Sequence, residues 1–361
     1  MATETDTTTT AEHRSTGALA ETFPLGMQWP TLDPFLFLAH HRDAYPAGTT
    51  ELGPDAPLDG REIGSDFSGK DGWSMYHGSR APGFPAHPHR GFETVTYVRE
   101  GLIDHSDSLG ATARFGRGDT QWMTAGSGIV HSEMFPLVNE DSDNPTELFQ
   151  IWLNLPAGSK MADPYFTMLW GPEIPEVRFG GDGAAGTTVT VIAGDLQDAA
   201  APAAPPDSWA SRSDSAVAIW HIRMDPGARW TLPAAPSITD GARPAPPIAR
   251  MLYAFEGDRV AVGGGLLEAG HGALLGTTGA VDLEAGDGGI ELLLLQGRPL
   301  GEPVARYGPF VMNTRAEIQE AMLDYQQTGF GGWPWDSEDP VHPAEEARFA
   351  RHPDGRVEHP D

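Results

Sequence analysis

The sequence predicts a mainly β protein made of two tandem barrels, and three observations support this. Glycine (44 residues) and proline (32) together make up about a fifth of the 361 residues, which favours short strands and turns over helical bundles. Apolar and β-branched runs of strand length recur between turn residues. The turn at 99–101 is echoed at 255–257, and this weak internal repeat indicates two similar domains.

Charge and composition argue against several classes of function. The net charge is −28 and the isoelectric point about 4.6, so we expect no direct binding to nucleic acid and no association with anionic membranes. Because cysteine is absent, disulfides, iron–sulfur clusters and cysteine nucleophiles are excluded, and any metal must be held by His, Asp or Glu. Residues 1–20 lack the basic start and apolar core of a signal peptide, so a cytoplasmic location is expected.

Residues 26–180 are predicted to form the N-terminal barrel, preceded by a disordered extension at 1–25. The extension is polar and rich in threonine. The first apolar run is interpreted as an edge strand, and residues 45–72, rich in Gly, Pro and Asp, as a long loop. His40 and His41 follow the apolar run and are interpreted as structural or solvated residues rather than ligands.

Two pairs of polar residues in this barrel have a spacing that suits metal ligands. His87 and His89 lie two residues apart, as do His131 and Glu133, and side chains alternate along a strand, so each pair projects to one side. About forty residues separate the pairs, enough for roughly three strands, and a barrel can bring them together. Three imidazoles and a carboxylate suit iron, manganese, copper, nickel or zinc. A metal-free polar core is disfavoured because burying these groups without a partner is costly.

Glu93 shares the parity of His87 and His89 along the chain. It would approach the same metal if the pleat were unbroken, whereas a bulge at Pro88 or Gly91 would turn it away. The remaining strand candidates of this barrel are β-branched or aromatic runs between turn residues: 92–98, 102–105, 120–123 and 148–155.

Residues 181–330 are predicted to form a second barrel followed by a helix. This barrel has no His-x-His pair, so we expect it to be metal-free. A capping-box pattern at Thr314 and Glu317 marks the start of a helix that ends before Gly329. Residues 331–361 form an acidic tail that is expected to be loose, with its histidines in solvent: His342, His352 and His359.

Three long motifs resemble those of the pirin family within the cupin superfamily. They are HPHRGFETVTY at 87–97, QWMTAGSGIVHSEM at 121–134 and YGPFVMNT at 307–314, and the resemblance covers roughly residues 30–330. It implies a bicupin, that is, two tandem cupin (double-stranded β-helix or jelly-roll) barrels with one metal in the N-terminal barrel.

The resemblance also implies the ligands and the metal. The family's metal-binding positions match four residues: His87, His89, His131 and Glu133. Fe(II) is the implied metal, with Mn, Ni, Co, Cu and Zn as alternatives. Glu93 occupies the usual cupin ligand position, but in pirins the role falls to the later glutamate, so Glu93 is expected beside the ligands rather than on the metal.

The activity implied by the resemblance is oxidative cleavage of flavonols, of the quercetin 2,3-dioxygenase type. Glu133 would then be both ligand and base for a small aromatic substrate, and three apolar residues are candidate pocket walls: Phe84, Trp122 and Met134. An alternative is a metal- or redox-responsive regulator that acts through protein partners without turnover. A third hypothesis is dioxygenase chemistry on another enolised or phenolic substrate.

Overall fold

The computed structural model describes residues 18–180, 185–240, 243–244 and 247–360. Their strands in the first half are β1 (Leu19–Pro24), β2 (Phe35–Tyr45), β3 (Gly83–His89), β4 (Phe92–Glu100), β5 (Leu102–Asp107), β6 (Thr112–Gly116), β7 (Thr120–Thr124), β8 (Ile129–Met134), β9 (Asn144–Asn154), β10 (Tyr165–Leu169) and β11 (Glu176–Phe179).

The elements of the second half are β12 (Thr187–Ala193), β13 (Ala218–Met224), β14 (Arg229–Leu232), β15 (Thr239–Asp240), β16 (Arg243–Pro244), β17 (Ala249–Gly257), β18 (Arg259–Val262), β19 (Gly265–Glu268), β20 (His271–Leu275), β21 (Val281–Ala285), β22 (Ile290–Gly297), β23 (Ala305–Tyr307), β24 (Phe310–Met312), α1 (Arg315–Thr328), β25 (Phe349–Arg351) and β26 (Val357–Glu358). The predicted mainly β fold is confirmed.

The N-terminal domain consists of two antiparallel sheets around one core. One sheet has the order β10-β7-β4-β9-β2 and the other β26-β25-β6-β5-β8-β3. Alternate residues of their strands turn inward, and buried side chains such as Val98, Ile103, Phe115 and Leu148 fill the space between them. The loop predicted at 45–72 contains no β-strand after Tyr45, the last residue of β2.

The C-terminal domain repeats this arrangement with different side chains. A seven-stranded sheet, β1-β20-β17-β22-β13-β12-β11, packs on a four-stranded sheet, β14-β21-β18-β19. The core between them is aliphatic and aromatic, with Trp220, Leu252, Leu283 and Leu292 buried. β11 already belongs to this domain, so the predicted boundary at residue 180 lies a few residues too late.

Both chain termini join the sheet of the opposite domain, which corrects two predictions. β1 pairs with β20 of the C-terminal domain, so 19–24 are ordered where disorder was expected; residues 1–17 lie outside the described residues. The acidic tail is not loose, because β25 pairs with β6 of the N-terminal domain. His352 is buried and His342 half-buried, whereas only His359 is exposed as predicted.

The predicted helix is confirmed at both ends. The hydroxyl oxygen of Thr314 accepts from the backbone of Glu317, whose carboxylate accepts from the backbone of Thr314, as in a capping box. Gly329 ends α1 in the left-handed region, at φ 55°. Among the described residues, no helix is long and apolar enough to cross a membrane.

Candidate metal centre

The two predicted ligand pairs meet on neighbouring strands of the N-terminal domain. β3 and β8 run antiparallel, with His87 directly opposite His131. Four strands, β4 to β7, connect them, one more than the sequence spacing suggested. Antiparallel pairing brings the side chains of facing residues within about 5 Å, so the fold places the histidines together.

Three imidazoles form a compact cluster inside the domain. One ring nitrogen from each of His87, His89 and His131 lies within 4.8 Å of the others. Burial lowers the pKa of His87 to about 4 and holds the pKa values of His89 and His131 well below the ordinary range, with further lowering from neighbouring histidines. The rings are therefore neutral at pH 7, the state in which imidazole binds a metal.

The hydrogen bonds of these rings fit a metal ion. His87 Nδ1 is 2.8 Å from the carbonyl oxygen of Pro85, which fixes Nδ1–H as the donor and leaves Nε2 as a free lone pair. His131 is fully buried, yet neither of its ring nitrogens has a protein partner among the described residues. A buried imidazole without a partner is costly, and a cation at the centre of the cluster would satisfy it.

Glu133 lies beside the cluster, and its carboxylate is held by two donors. Its Oε2 is 4.0 Å from His131 Nε2. Thr96 donates to Oε1 at 2.9 Å and Gln150 to Oε2 at 2.8 Å. Burial raises the pKa of Glu133, although these two hydrogen bonds and nearby His105 oppose the rise. Each carboxylate oxygen keeps a lone pair for a metal or a proton.

A cavity of about 620 Å³ opens above the cluster, within the range of small-molecule sites. His87, His89 and Glu133 belong to its lining. Its apolar walls come from several strands and loops: Met27, Phe37, Phe84, Phe135, Leu148 and Trp152. The cavity therefore combines apolar walls with a polar end at the histidines and Glu133.

Phe84 lines the cavity as proposed, but two other candidate walls were wrong. Trp122 faces the opposite side of its sheet and packs into the core between the two domains. Met134 is fully buried and lies outside the cavity lining.

Glu93 is not beside the ligands. Gly91 has φ 85°, which breaks the alternation between β3 and β4, so Glu93 points toward the other domain. There it accepts hydrogen bonds from Thr124 at 2.7 Å and Ser208 at 2.5 Å. The chain turns at Gly91 between β3 and β4, which belong to different sheets, and this turn directs the Glu93 side chain away from the ligands.

Sequence reasoning missed four residues of the site. His41 lines the cavity, whereas its neighbour His40 pairs with Glu147 and is structural as interpreted. Thr96 and Gln150 hold Glu133, and Trp152 forms a wall. Side-chain alternation predicts that Gln150 and Trp152 lie on the same face of β9. The sequence does not show which face of β4 or β9 points toward the site, so these residues could not be assigned to it.

Comparisons with known proteins agree with this architecture. The family model "Pirin" matches residues 18–153 and the model "Pirin C-terminal cupin domain" matches 219–331. A Pseudomonas aeruginosa protein named "Putative quercetin 2,3-dioxygenase" is 38% identical over 68% of this chain and 79% of its own length. Human "Pirin" is 35% identical over 71% of this chain and 80% of its own length.

A solved structure supports the same assignment. A crystal structure named as quercetin 2,3-dioxygenase from Acinetobacter baumannii aligns with TM-score 0.66 and 26% identity, covering 88% of this chain and 99% of that one. The matched models include both strands that carry the histidine cluster. The chain belongs to the pirin family, with two cupin domains in tandem.

Proposed function

We propose that the N-terminal domain binds one Fe(II) ion through His87, His89, His131 and Glu133 and cleaves flavonols oxidatively. The observation that carries this proposal is the histidine cluster with an adjacent carboxylate at the end of an aromatic-walled cavity. The names of the bacterial relatives point to the same chemistry. When bound, iron would supply Lewis acidity and a template for a substrate oxygen.

Glu133 is the proposed base for the flavonol hydroxyl. Its pKa is raised by burial, which makes the carboxylate a better proton acceptor than one in water. Thr96 and Gln150 fix its orientation by donating one hydrogen bond to each oxygen. Each carboxylate oxygen keeps one free lone pair. One oxygen can therefore bind the metal while the other takes the hydroxyl proton.

The cavity walls orient the substrate and exclude water. Phe84 and Trp152 line the cavity, and a contact between aromatic rings contributes about 0.5–1.5 kcal/mol beyond their burial. Phe92 packs on Trp152 with ring centroids 4.3 Å apart and holds it in place. In the overall reaction the flavonol takes up one dioxygen and releases one carbon monoxide.

The test is turnover of quercetin by protein loaded with Fe(II) under anaerobic conditions. On admission of air, we expect the flavonol absorbance to bleach with one carbon monoxide released per quercetin. Loading with Mn, Ni, Co, Cu or Zn in parallel identifies the metal that supports the activity. Absence of turnover with every loaded metal would contradict the proposal and favour the alternative, a metal- or redox-responsive protein that acts through partners.

A further inference from the structure

The cavity is bounded on one side by a segment that follows the matched pirin domains. The C-terminal family model ends at residue 331. Residues 333–346, here termed the strap, run back across the N-terminal domain to β3, the strand that carries His87 and His89. One lining residue of the cavity, Glu338, therefore comes from the acidic tail of this chain.

Several hydrogen bonds fix the strap on three strands of the N-terminal domain: β3, β5 and β6. The backbone N–H of Ala86 donates to the carbonyl oxygen of Glu338 at 2.7 Å. Trp335 Nε1 donates to the carbonyl oxygen of Asp107 at 2.9 Å. The buried guanidinium of Arg114 donates to the carbonyl oxygens of four strap residues: His342, Pro343, Ala344 and Glu346. The strap is thus an anchored wall rather than a free tail.

Glu338 is the strap residue that lines the cavity. It lies on the same side as Phe84 and His87, and it is exposed. Its carboxylate has no hydrogen-bond or ion-pair partner within the described part of the chain. No lysine or arginine occurs among the described residues that line the cavity. Two arginines lie near the cavity, but neither pairs with Glu338: Arg80 is 3.7 Å from Asp339, and Arg306 lies over the rings of Phe37 and Trp152. The carboxylate of Glu338 is therefore an unpaired negative charge at the cavity.

We propose that Glu338 selects the ligand of this cavity: it favours neutral polyphenols with hydroxyl groups on the ring distal to the metal and disfavours aromatic ligands that carry a carboxylate there. This inference rests on the proposed flavonol cleavage and narrows its substrate class. A hydroxyl that donates to a carboxylate makes a charge-assisted hydrogen bond, roughly twice as strong as a neutral one. A ligand carboxylate at the same place meets a like charge.

Three flavonols separate these effects in the metal-loaded, full-length protein. Quercetin has hydroxyls on the distal ring, 3-hydroxyflavone has none, and 4′-carboxy-3-hydroxyflavone places an anion there. Binding is measured without air by quenching of tryptophan fluorescence, since Trp152 lines the cavity. We expect quercetin to bind most tightly and the carboxylated compound most weakly.

The decisive variant is Glu338→Gln, with Glu345→Gln as control. Glu345 is an exposed glutamate of the same strap that lies outside the cavity lining. In Glu338→Gln we expect the Kd of quercetin to rise about threefold to tenfold and that of the carboxylated flavonol to fall by a similar factor. The Kd of 3-hydroxyflavone should stay within about twofold. Glu345→Gln should leave all three affinities unchanged.

Equal effects on all three ligands, or none, would overturn the role of Glu338, as would failure of every flavonol to bind the unmodified protein. Intact selectivity without turnover would contradict the proposed cleavage and leave the role of Glu338 standing. The two proposals therefore fail in different experiments.

Discussion

At the scale of single residues, two buried glutamates show what a strand pattern can and cannot predict. The spacing of His131 and Glu133 predicted their common face, because no glycine or proline interrupts β8 between them. The same parity argument failed for Glu93, because the left-handed backbone at Gly91 shifts the register after His89. A sequence pattern is reliable only within an unbroken strand.

Replacing Glu133 with Gln tests its role as a base. The amide can still accept from Thr96 and still coordinate through oxygen, but it cannot take a proton, so we expect near-normal metal content and a loss of kcat of about 100-fold or more. Metal analysis and quercetin turnover measure the two properties. The control is Glu93→Gln, which replaces another buried glutamate and should keep its turnover. Full activity in Glu133→Gln would remove Glu133 as the base.

At the scale of elements, the individual strands were easier to predict than their partners. The apolar run at residues 148–155 predicted a strand that the structure confirms as part of β9. The exchange of terminal strands could not be predicted, because β1 and β20 pair across about 250 residues and local patterns do not specify such partners. The N-terminal extension is polar as a whole and was expected to be disordered, yet residues 19–24 form a strand because the edge of the C-terminal sheet supplies their hydrogen bonds.

The contact between β1 and β20 can be tested at Gly272. A Cβ added there would lie 2.4 Å from the ring of Phe23 on β1, so Gly272→Ala must displace that ring. We expect a loss of about 1–3 kcal/mol in the free energy of unfolding, seen as a lower melting temperature. Phe23→Ala should lose some stability by itself, but adding Gly272→Ala to it should cost little more. Fully additive losses would show that the ring is not the obstacle.

At the scale of the whole molecule, the two domains share a core and behave as one packed unit. Val95, Trp122 and Phe149 of the N-terminal domain pack with Ile219 and Leu293 of the C-terminal domain. This shared core explains why both faces of β4 are buried, although its sequence resembles that of a strand with only one buried face.

An ion network spans the same interface. Arg99 donates to Glu147 of its own domain at 2.9 Å and to Glu291 of the other domain at 2.7 Å. Glu291 also lies 2.6 Å from His221. The C-terminal domain therefore supports the back of the sheet whose other face lines the cavity.

Glu93 makes this interface sensitive to pH. Burial raises its pKa from 4.5 to about 7, although hydrogen bonds from Ser208 and Thr124 oppose the rise. A carboxyl with a raised folded pKa contributes stability that is complete below about pH 4.5 and is lost as the pH rises through about 7. By itself Glu93 lowers the stability between pH 5 and pH 8, whereas the buried histidines, whose pKa values are lowered, act in the opposite direction below about pH 6.5, so the contribution of Glu93 must be isolated by a variant.

The variant Glu93→Gln should remove this dependence, since the amide stays neutral and the two hydroxyls can rotate to pair with it. Relative to the unmodified protein, we expect its stability to be similar at pH 5 and higher at pH 8, by at most about 3 kcal/mol. Melting temperatures at the two pH values measure this difference. An equal difference at both values would contradict an ionising Glu93.

The most direct test of the central claim is to locate the metal by anomalous diffraction from crystals of protein loaded with Fe(II). We predict one ion per chain, bound by ring nitrogens of His87, His89 and His131 and by a carboxylate oxygen of Glu133, with His131→Ala losing most of the bound iron. An ion bound elsewhere, or full iron content in His131→Ala, would contradict the account.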